Sequence, residues 1–280
     1  MSVFTLEVLQ TVEGDCLLLH SGSPGDRQLI LVDGGPSGTY RASLAPRLAG
    51  LRGAVGDGGP VPLALVMVSH IDDDHVIGVL DLLNDIINAE EGGRRPPATV
   101  DVLWHNAFET LVPPGVGAPD SSIPNLASIV ALAECGGRRM LLTGDARGDN
   151  VLAALSAASL SFSLQDRLDV LKVPYHGSDR NVDLDFFRAL PADHYVISAN
   201  GRHHNPSVAT LQMISAARPD DDFTLHFTNR RMHRRGGRRL PRGRGPRGPA
   251  LRIRVPRRRP ALADRRPARR PRTTMTRRAP

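Results

Sequence analysis

An α/β domain followed by a disordered C-terminal tail is the architecture this 280-residue sequence predicts, on three observations. Short apolar runs of strand length alternate with stretches of helical periodicity over the body of the chain. The length suits one domain with a substantial core. The charge is divided, because residues 230–280 hold 21 arginines and one acid, Asp264, and so carry +20 in a chain whose net charge is +7. The first 229 residues therefore carry −13.

Taken in order, FTLEVLQ, CLLLH and QLILVDGG read as opening strands, with Gly14-Asp15 and Ser23-Pro24-Gly25-Asp26 at the turns. The loop GLRGAVGDGGP is Gly-rich but lacks the lysine of a phosphate-binding loop, and reads as a linker. LALVMVSH is a nearly continuous apolar run ending at His70, as a central strand covered on both faces requires. VIGVLDLLNDIINAEE then places Val76, Leu80, Leu83 and Ile87 along one helical face. TVDVLWHN reads as a strand, and SIVALAE and RRMLLTGD form a hairpin about Gly136-Gly137, since paired glycines supply the positive φ of a tight turn. A helix over RGDNVLAALSAA, a strand and loop over LDVLKVPYHGS and a helix over VDLDFFRAL follow. The strand HYVISAN leads to a helix over NPSVATLQMISAA, with Asn205 at its N-cap and Pro206 in its first turn.

The tail, RRLPRGRGPRGP through RRPARRPRTT, has no strand or helix period and is rich in Pro and Gly, and its like charges repel, so disorder is expected. Three readings stand for it. Clustered arginine suits a nucleic-acid-binding arm. Lys172 is the only lysine beside 35 arginines, the bias of GC-rich coding, in which a shifted reading frame emits Arg, Pro, Gly and Ala; a frame-shifted end fits as well. An inert tail is the third. The chain opens without a basic flank and apolar core, and no apolar run approaches the roughly 18 residues of a spanning helix. The expectation is a cytoplasmic protein with no membrane partner and no assigned oligomeric state. Cys16 and Cys135 are too few for a disulfide framework or a zinc ribbon and are expected to be buried structural thiols.

The chemistry gathers at strand ends. His70, Asp72, Asp74 and His75 follow LALVMVSH, Asp145 closes RRMLLTGD, His176 follows LDVLKVPY, and His203 and His204 follow HYVISAN. A strand fixes the backbone while its loop frees the side chain, so such ends suit reactive groups. A tight loop can turn His70 and Asp72 toward one point and Asp74 and His75 toward another, with Asp73 facing away or bracing the loop. Imidazoles mixed with carboxylates suit a first-row divalent cation, Zn²⁺ or Mn²⁺. Asp145 could bridge two such ions, and a pair about 3.5 to 4 Å apart lowers the pKa of a shared water. Asp33 is expected to brace the loop rather than ligate, and Lys172 to be structural or substrate-orienting. Trp104, His105 and Asn106 either line the cleft or end a hydrogen-bonded strand.

HIDDDH resembles the His-x-His-x-Asp-His signature of the metallo-β-lactamase fold, in the His-x-Asp-x-Asp-His form of its branch near the soluble domain of the competence DNA-uptake protein ComEC. VEGDCLLL and LILVDGGP look like that branch's paired strands, PNLASIVALAECGGRRMLLTGDA like its Asn-x-x-Ser hairpin ending in a bridging aspartate, and LKVPYHGS like its Leu-Lys-Val-x-His-His-Gly-Ser element. ISANGRHHNPS is similar to its last loop, and the likeness covers residues 3–229. Tyr175 stands where the branch has the first of two histidines, and Asn125 stands near the third-motif histidine of the wider superfamily. The resemblance implies an αββα sandwich of two mixed sheets flanked by helices, spanning residues 1–229. It implies two divalent ions, Zn or Mn, held by His70, Asp72, Asp74, His75 and Asp145, with His176 a ligand or a donor to the scissile group. Asp74, His176 and His203 are the implied catalytic residues, with His204 an alternative to His203. The expected function is hydrolysis of a phosphodiester, nucleic acid or a related substrate, by metal-activated water. A small-ester, lactone or thioester hydrolase is the rival enzyme, and a catalytically degenerate nucleic-acid-binding protein acting through its arginines is the rival outside enzymology.

Overall fold

The structure is a computed structural model and describes residues 2–53, 58–106, 127–229 and 250–254. Three antiparallel strands open the chain: β1 (Val3–Leu9), β2 (Leu17–Ser23) and β3 (Asp26–Val32). A π-helical turn, Tyr40–Leu44, runs into α1 (Ala45–Arg52). Next come β4 (Val61–Leu63), β5 (Leu65–Met67), α2 (Asp73–Glu91), β6 (Ala98–Val100) and β7 (Leu103–Trp104). The second half holds β8 (Ala131–Cys135), β9 (Arg138–Leu142), α3 (Gly148–Ala157), β10 (Leu168–Lys172) and α4 (Leu184–Ala189). It continues with β11 (Ala192–Ile197), α5 (Val208–Ala217), β12 (Thr224–Phe227) and β13 (Ala250–Arg254).

Two mixed sheets face one another. The first has the order β13-β1-β2-β3-β5-β7 and the second β12-β11-β10-β9-β8, while β4 and β6 form a separate pair. Side chains alternate between faces along each strand. Phe4, Leu6, Val8, Leu17, Leu19, Val32 and Met67 of the first sheet therefore pack on Met140, Leu142, Val170 and Val196 of the second. The opposite faces, with Leu18 and Leu31 on one sheet and Leu171 and Tyr195 on the other, are covered by α1 and α2 and by α3, α4 and α5 respectively. Double coverage is why these strands read as unbroken apolar runs, and the result is the expected αββα sandwich.

Several elements differ from expectation. LALVMVSH holds β5, paired with β3 and β7, and only its first residue, Leu63, belongs to β4, which pairs with β6; TVDVLWHN divides between β6 and β7. The helix at Tyr40–Arg52 has a buried stripe of Tyr40, Leu44 and Leu48 that Pro46 and Gly50 obscure in the sequence. Helix α2 begins at Asp73, inside the acidic motif, rather than at Val76. Its buried face runs through His75, Gly78, Val79, Leu82 and Ala89, which leaves Leu80 46% and Ile87 51% exposed. The face is rotated because His75 must turn inward, and a polar residue carries no weight in an apolar period. At α5 the N-cap is Ser207, whose Oγ accepts from Thr210 N, and not Asn205. Cys16 is buried as expected, whereas Cys135 is only half-buried. Within the arginine-rich segment, Ala250–Arg254 pairs antiparallel with β1, although no strand was expected there. The disorder expected elsewhere in 230–280 lies outside the described residues, as does Asn125. No described helix is long and apolar enough to cross a membrane.

Candidate metal centre

The loops that follow β3, β5, β9, β10 and β11 converge at one end of the sandwich. Their approach is close enough to exclude side chains at the contact points. A Cβ on Gly34 would lie 2.2 Å from Val79 N, and one on Gly78 1.9 Å from Gly34 O, so the Asp33-Gly34-Gly35 turn touches the backbone of α2. Asp72 precedes α2 in an extended conformation and makes no side-chain cap, which leaves its carboxylate for the centre. Asp73 and Asp74 occupy the first turn, where the helix dipole favours negative charge. Tyr175 and His176 both take left-handed backbone (φ 48° and 53°), which folds His176 back over the end of β10.

These segments bring together every residue expected to ligate. Donor atoms of His70, His75 and Asp145 lie within 4.8 Å of one another, as do those of Asp74, His75 and His176 and those of His70, Asp72 and Asp74. His75 Nε2 is 3.7 Å from Asp145 Oδ1, and His176 Nε2 is 3.4 Å from Asp74 Oδ2. His176 Nε2 also comes 3.1 Å from Asp145 Oδ2, but out of line for a hydrogen bond.

The tautomers follow from the partners. Asp33 Oδ1 accepts from Ser69 N at 2.7 Å, and Asp33 Oδ2 accepts from Ser69 Oγ at 2.6 Å and from His75 Nδ1 at 2.9 Å. A carboxylate only accepts, so His75 carries its proton on Nδ1. The Ser69 hydroxyl proton is committed to Asp33, so its oxygen accepts from His70 Nδ1 at 3.0 Å. His176 Nδ1 donates to the Ser198 carbonyl at 2.9 Å. All three imidazoles thus present a bare Nε2 inward, and each of these atoms is buried without a hydrogen-bond partner, as is Asp145 Oδ1. Buried polar atoms are normally satisfied. Nitrogen and oxygen donors that converge unsatisfied, each ring anchored by its far nitrogen, fit a divalent cation.

Electrostatics agree with that fit. Burial opposes charge on His75, yet Asp33 and Asp145 outweigh it and raise its pKa to about 9. At His176 burial is likewise outweighed, chiefly by Asp145, and the pKa rises to about 10. In the absence of a cation, protons are drawn to the same atoms. His70 is lowered to about 4 by burial and by His75, and Asp145 is held well below the usual carboxylate range because His176 and His75 overcome its burial. Five carboxylates, those of Asp15, Asp33, Asp72, Asp74 and Asp145, face the single ammonium of Lys172, a formal charge of −4 with neutral imidazoles. Two divalent ions would cancel it.

A cleft of about 300 Å³ opens beside the centre, lined by Asp74, His176 and His203 together with Glu13, Asp73 and Asn200. His203 lies on it and His204 does not. Asp73, expected to face away or brace the loop, lines the cleft. Asn106 donates to the Ser69 carbonyl at 3.2 Å, so it ends a strand rather than lining the cleft. Asp33 binds Ser69 and His75, as a bracing residue does. Lys172 is fully buried, 2.5 Å from Asp15 Oδ2. Asp15, a turn residue in the sequence, stands at the centre beside Asp145 and His176, and its one sequence signal is an acid beside an apolar strand.

Fold and site together define an α/β sandwich with a buried His/Asp cluster, at the ends of its strands, that could hold metal ions. Among curated proteins, the chain is 31% identical over 117 residues to ComE operon protein 3 of Bacillus subtilis (strain 168). The match covers 39% of this chain and 14% of the relative, so the chain corresponds to a small part of that protein. No protein-family model matches the chain.

Proposed function

We propose that the protein is a metal-dependent hydrolase of the ComEC-like branch of the metallo-β-lactamase fold, cleaving a phosphodiester or a related ester. The observation that carries this reading is the set of bare, buried Nε2 atoms of His70, His75 and His176 converging on Asp145, each ring anchored through Nδ1. The similarity to ComE operon protein 3 supports the branch. Bound there, a pair of Zn²⁺ or Mn²⁺ ions would supply Lewis acidity and lower the pKa of water. His70, Asp72, Asp74, His75 and Asp145 would hold the cations, Asp74 from the cleft side. Asp74, exposed to the cleft, orients the attacking water and accepts its proton. His203 sits where it can donate to the oxygens on which charge develops, with Asn200 beside it, while His176 turns its bare Nε2 toward Asp74 and Asp145.

The cleft favours a small substrate over a long polyanion. Its described lining carries Glu13, Asp73 and Asp74 and no lysine or arginine, so phosphates flanking the scissile group would meet repulsion. Compact phosphodiesters and small esters or thioesters satisfy that constraint. Adding Mn²⁺ or Zn²⁺ to chelator-treated protein should restore hydrolysis of bis-p-nitrophenyl phosphate, and Asp145→Ala should lower the rate by at least about 100-fold, the scale of losing a transition-state-stabilising group. Undiminished turnover in that variant, or in excess chelator, would overturn the reading.

A further inference from the structure

We propose that Asp15 is an additional metal-ligating residue, completing with Asp145 and His176 the second of two adjoining cation positions, while Lys172 selects which of its oxygens is offered. The inference rests on the metal-dependent reading above. Asp15 follows Gly14, whose φ of 73° and missing side chain let the turn press against α2: a Cβ there would lie 1.7 Å from Asp74 O. The turn, just ahead of β2, delivers the Asp15 carboxylate to the centre. It is 1% exposed. Oδ2 meets Lys172 Nζ at 2.5 Å, whereas Oδ1 is buried without a hydrogen-bond partner.

Donor atoms of Asp15, Asp145 and His176 lie within 4.8 Å of one another, and that group shares only Asp145 with the group formed by His70, His75 and Asp145. Two donor triads meeting at one carboxylate are what two neighbouring cations require. Each triad contains atoms left unsatisfied by the protein, namely Asp15 Oδ1 and His176 Nε2 in one, and His70 Nε2, His75 Nε2 and Asp145 Oδ1 in the other. Lys172 also reaches the Gly144 carbonyl at 3.4 Å, so its ammonium ties Asp15 to the turn that carries Asp145. By engaging Oδ2 alone it leaves Oδ1 as the free donor. The competing role for Asp15 is that of a counter-ion to Lys172 with no part in metal binding.

The two roles separate by metal content. Wild-type protein loaded with Mn²⁺ or Zn²⁺ and freed of excess should hold two ions per chain by elemental analysis. Asp15→Asn, checked for folding by circular dichroism, should hold one, or bind the second at least about tenfold more weakly in competition with a chromogenic chelator. The double variant Asp15→Asn/Lys172→Met leaves no unpaired buried ammonium and keeps the test open should the single variant fail to fold. A counter-ion role predicts that the double variant regains both ions; a ligand role predicts that it remains at one. Two ions bound with unchanged affinity in either variant would overturn the assignment of Asp15. Wild-type protein that takes up no metal would instead overturn the metal-dependent reading itself.

Discussion

Asp33 shows how a single residue can govern a centre without entering it. Its two oxygens accept three hydrogen bonds, two from Ser69 and one from His75. Because those bonds fix the protons of His75 and, through the Ser69 hydroxyl, of His70, one buried carboxylate sets two tautomers. Asp33→Asn keeps the shape and inverts the chemistry. An amide facing His75 donates where the carboxylate accepted, so the His75 proton must move to Nε2, the atom a cation needs. Metal affinity should fall by about 10- to 100-fold, the usual cost of losing a group that orients a ligand. Competition with a chromogenic chelator measures it, and affinity within twofold of wild type would refute the role. The motif residues His70, Asp72, Asp74 and His75 were legible in the sequence because five polar positions out of six, from His70 to His75, directly after an apolar strand have no place in a core. Asp15 was not, since its partners Lys172 and Asp145 lie far away in the chain, and nothing local distinguishes a buried turn carboxylate from a solvated one.

Element by element, the sheets obey the sequence more closely than the helices do. Strands packed on both faces declare themselves by continuous apolar runs, and the paired Gly136 and Gly137 adopt the positive φ (60° and 74°) their hairpin needs. Helix α2 misled because its inward face includes His75 and Gly78, one turned toward the centre and the other against Gly34. The second sheet carries a titratable contact of its own. On β11 and β12, His194 Nδ1 and His226 Nε2 lie 3.2 Å apart, a bond that needs one donor and one acceptor. Burial lowers the His194 pKa, against opposition from Asp193 and Asp169. The neutral form is therefore favoured on folding. That contribution is complete above the unfolded value of about 6.5 and is lost as the pH falls below it, toward the lower folded value. Urea midpoints measured from pH 7 to pH 5 should decline, and His194→Gln should flatten part of the decline while costing about 1 kcal/mol at pH 7 for the lost hydrogen bond. Parallel slopes for the two proteins would show that His194 is not responsible.

At the scale of the whole molecule, the fold does not finish where the motifs do. Strand β13 pairs with β1 along Thr5↔Arg254 to Leu9↔Ala250, and so the first sheet borrows its outermost strand from the arginine-rich segment. The composition of that segment gave no warning, because a five-residue strand alternating apolar side chains with arginine is too short to outweigh its Pro- and Gly-rich surroundings. Without β13, β1 becomes the edge and presents its unpaired amides and carbonyls to other chains, a template for association. Two truncations separate this strand from the rest of the segment. A chain ending after Arg254 keeps the ladder and should retain the wild-type melting temperature. A chain ending after Asn229 loses several main-chain hydrogen bonds, each about 0.5–1.5 kcal/mol. It should melt on the order of 5–10 °C lower and sediment partly as oligomers. The β13 ladder runs along Thr5–Leu9 and stops short of the turn that carries Asp15, and the other proposed ligands come from other loops, so metal uptake by the shorter chain at low temperature should match wild type. If both truncations melt alike, β13 contributes nothing to the sheet; if the longer one alone is destabilised, the stabilising contacts lie beyond Arg254.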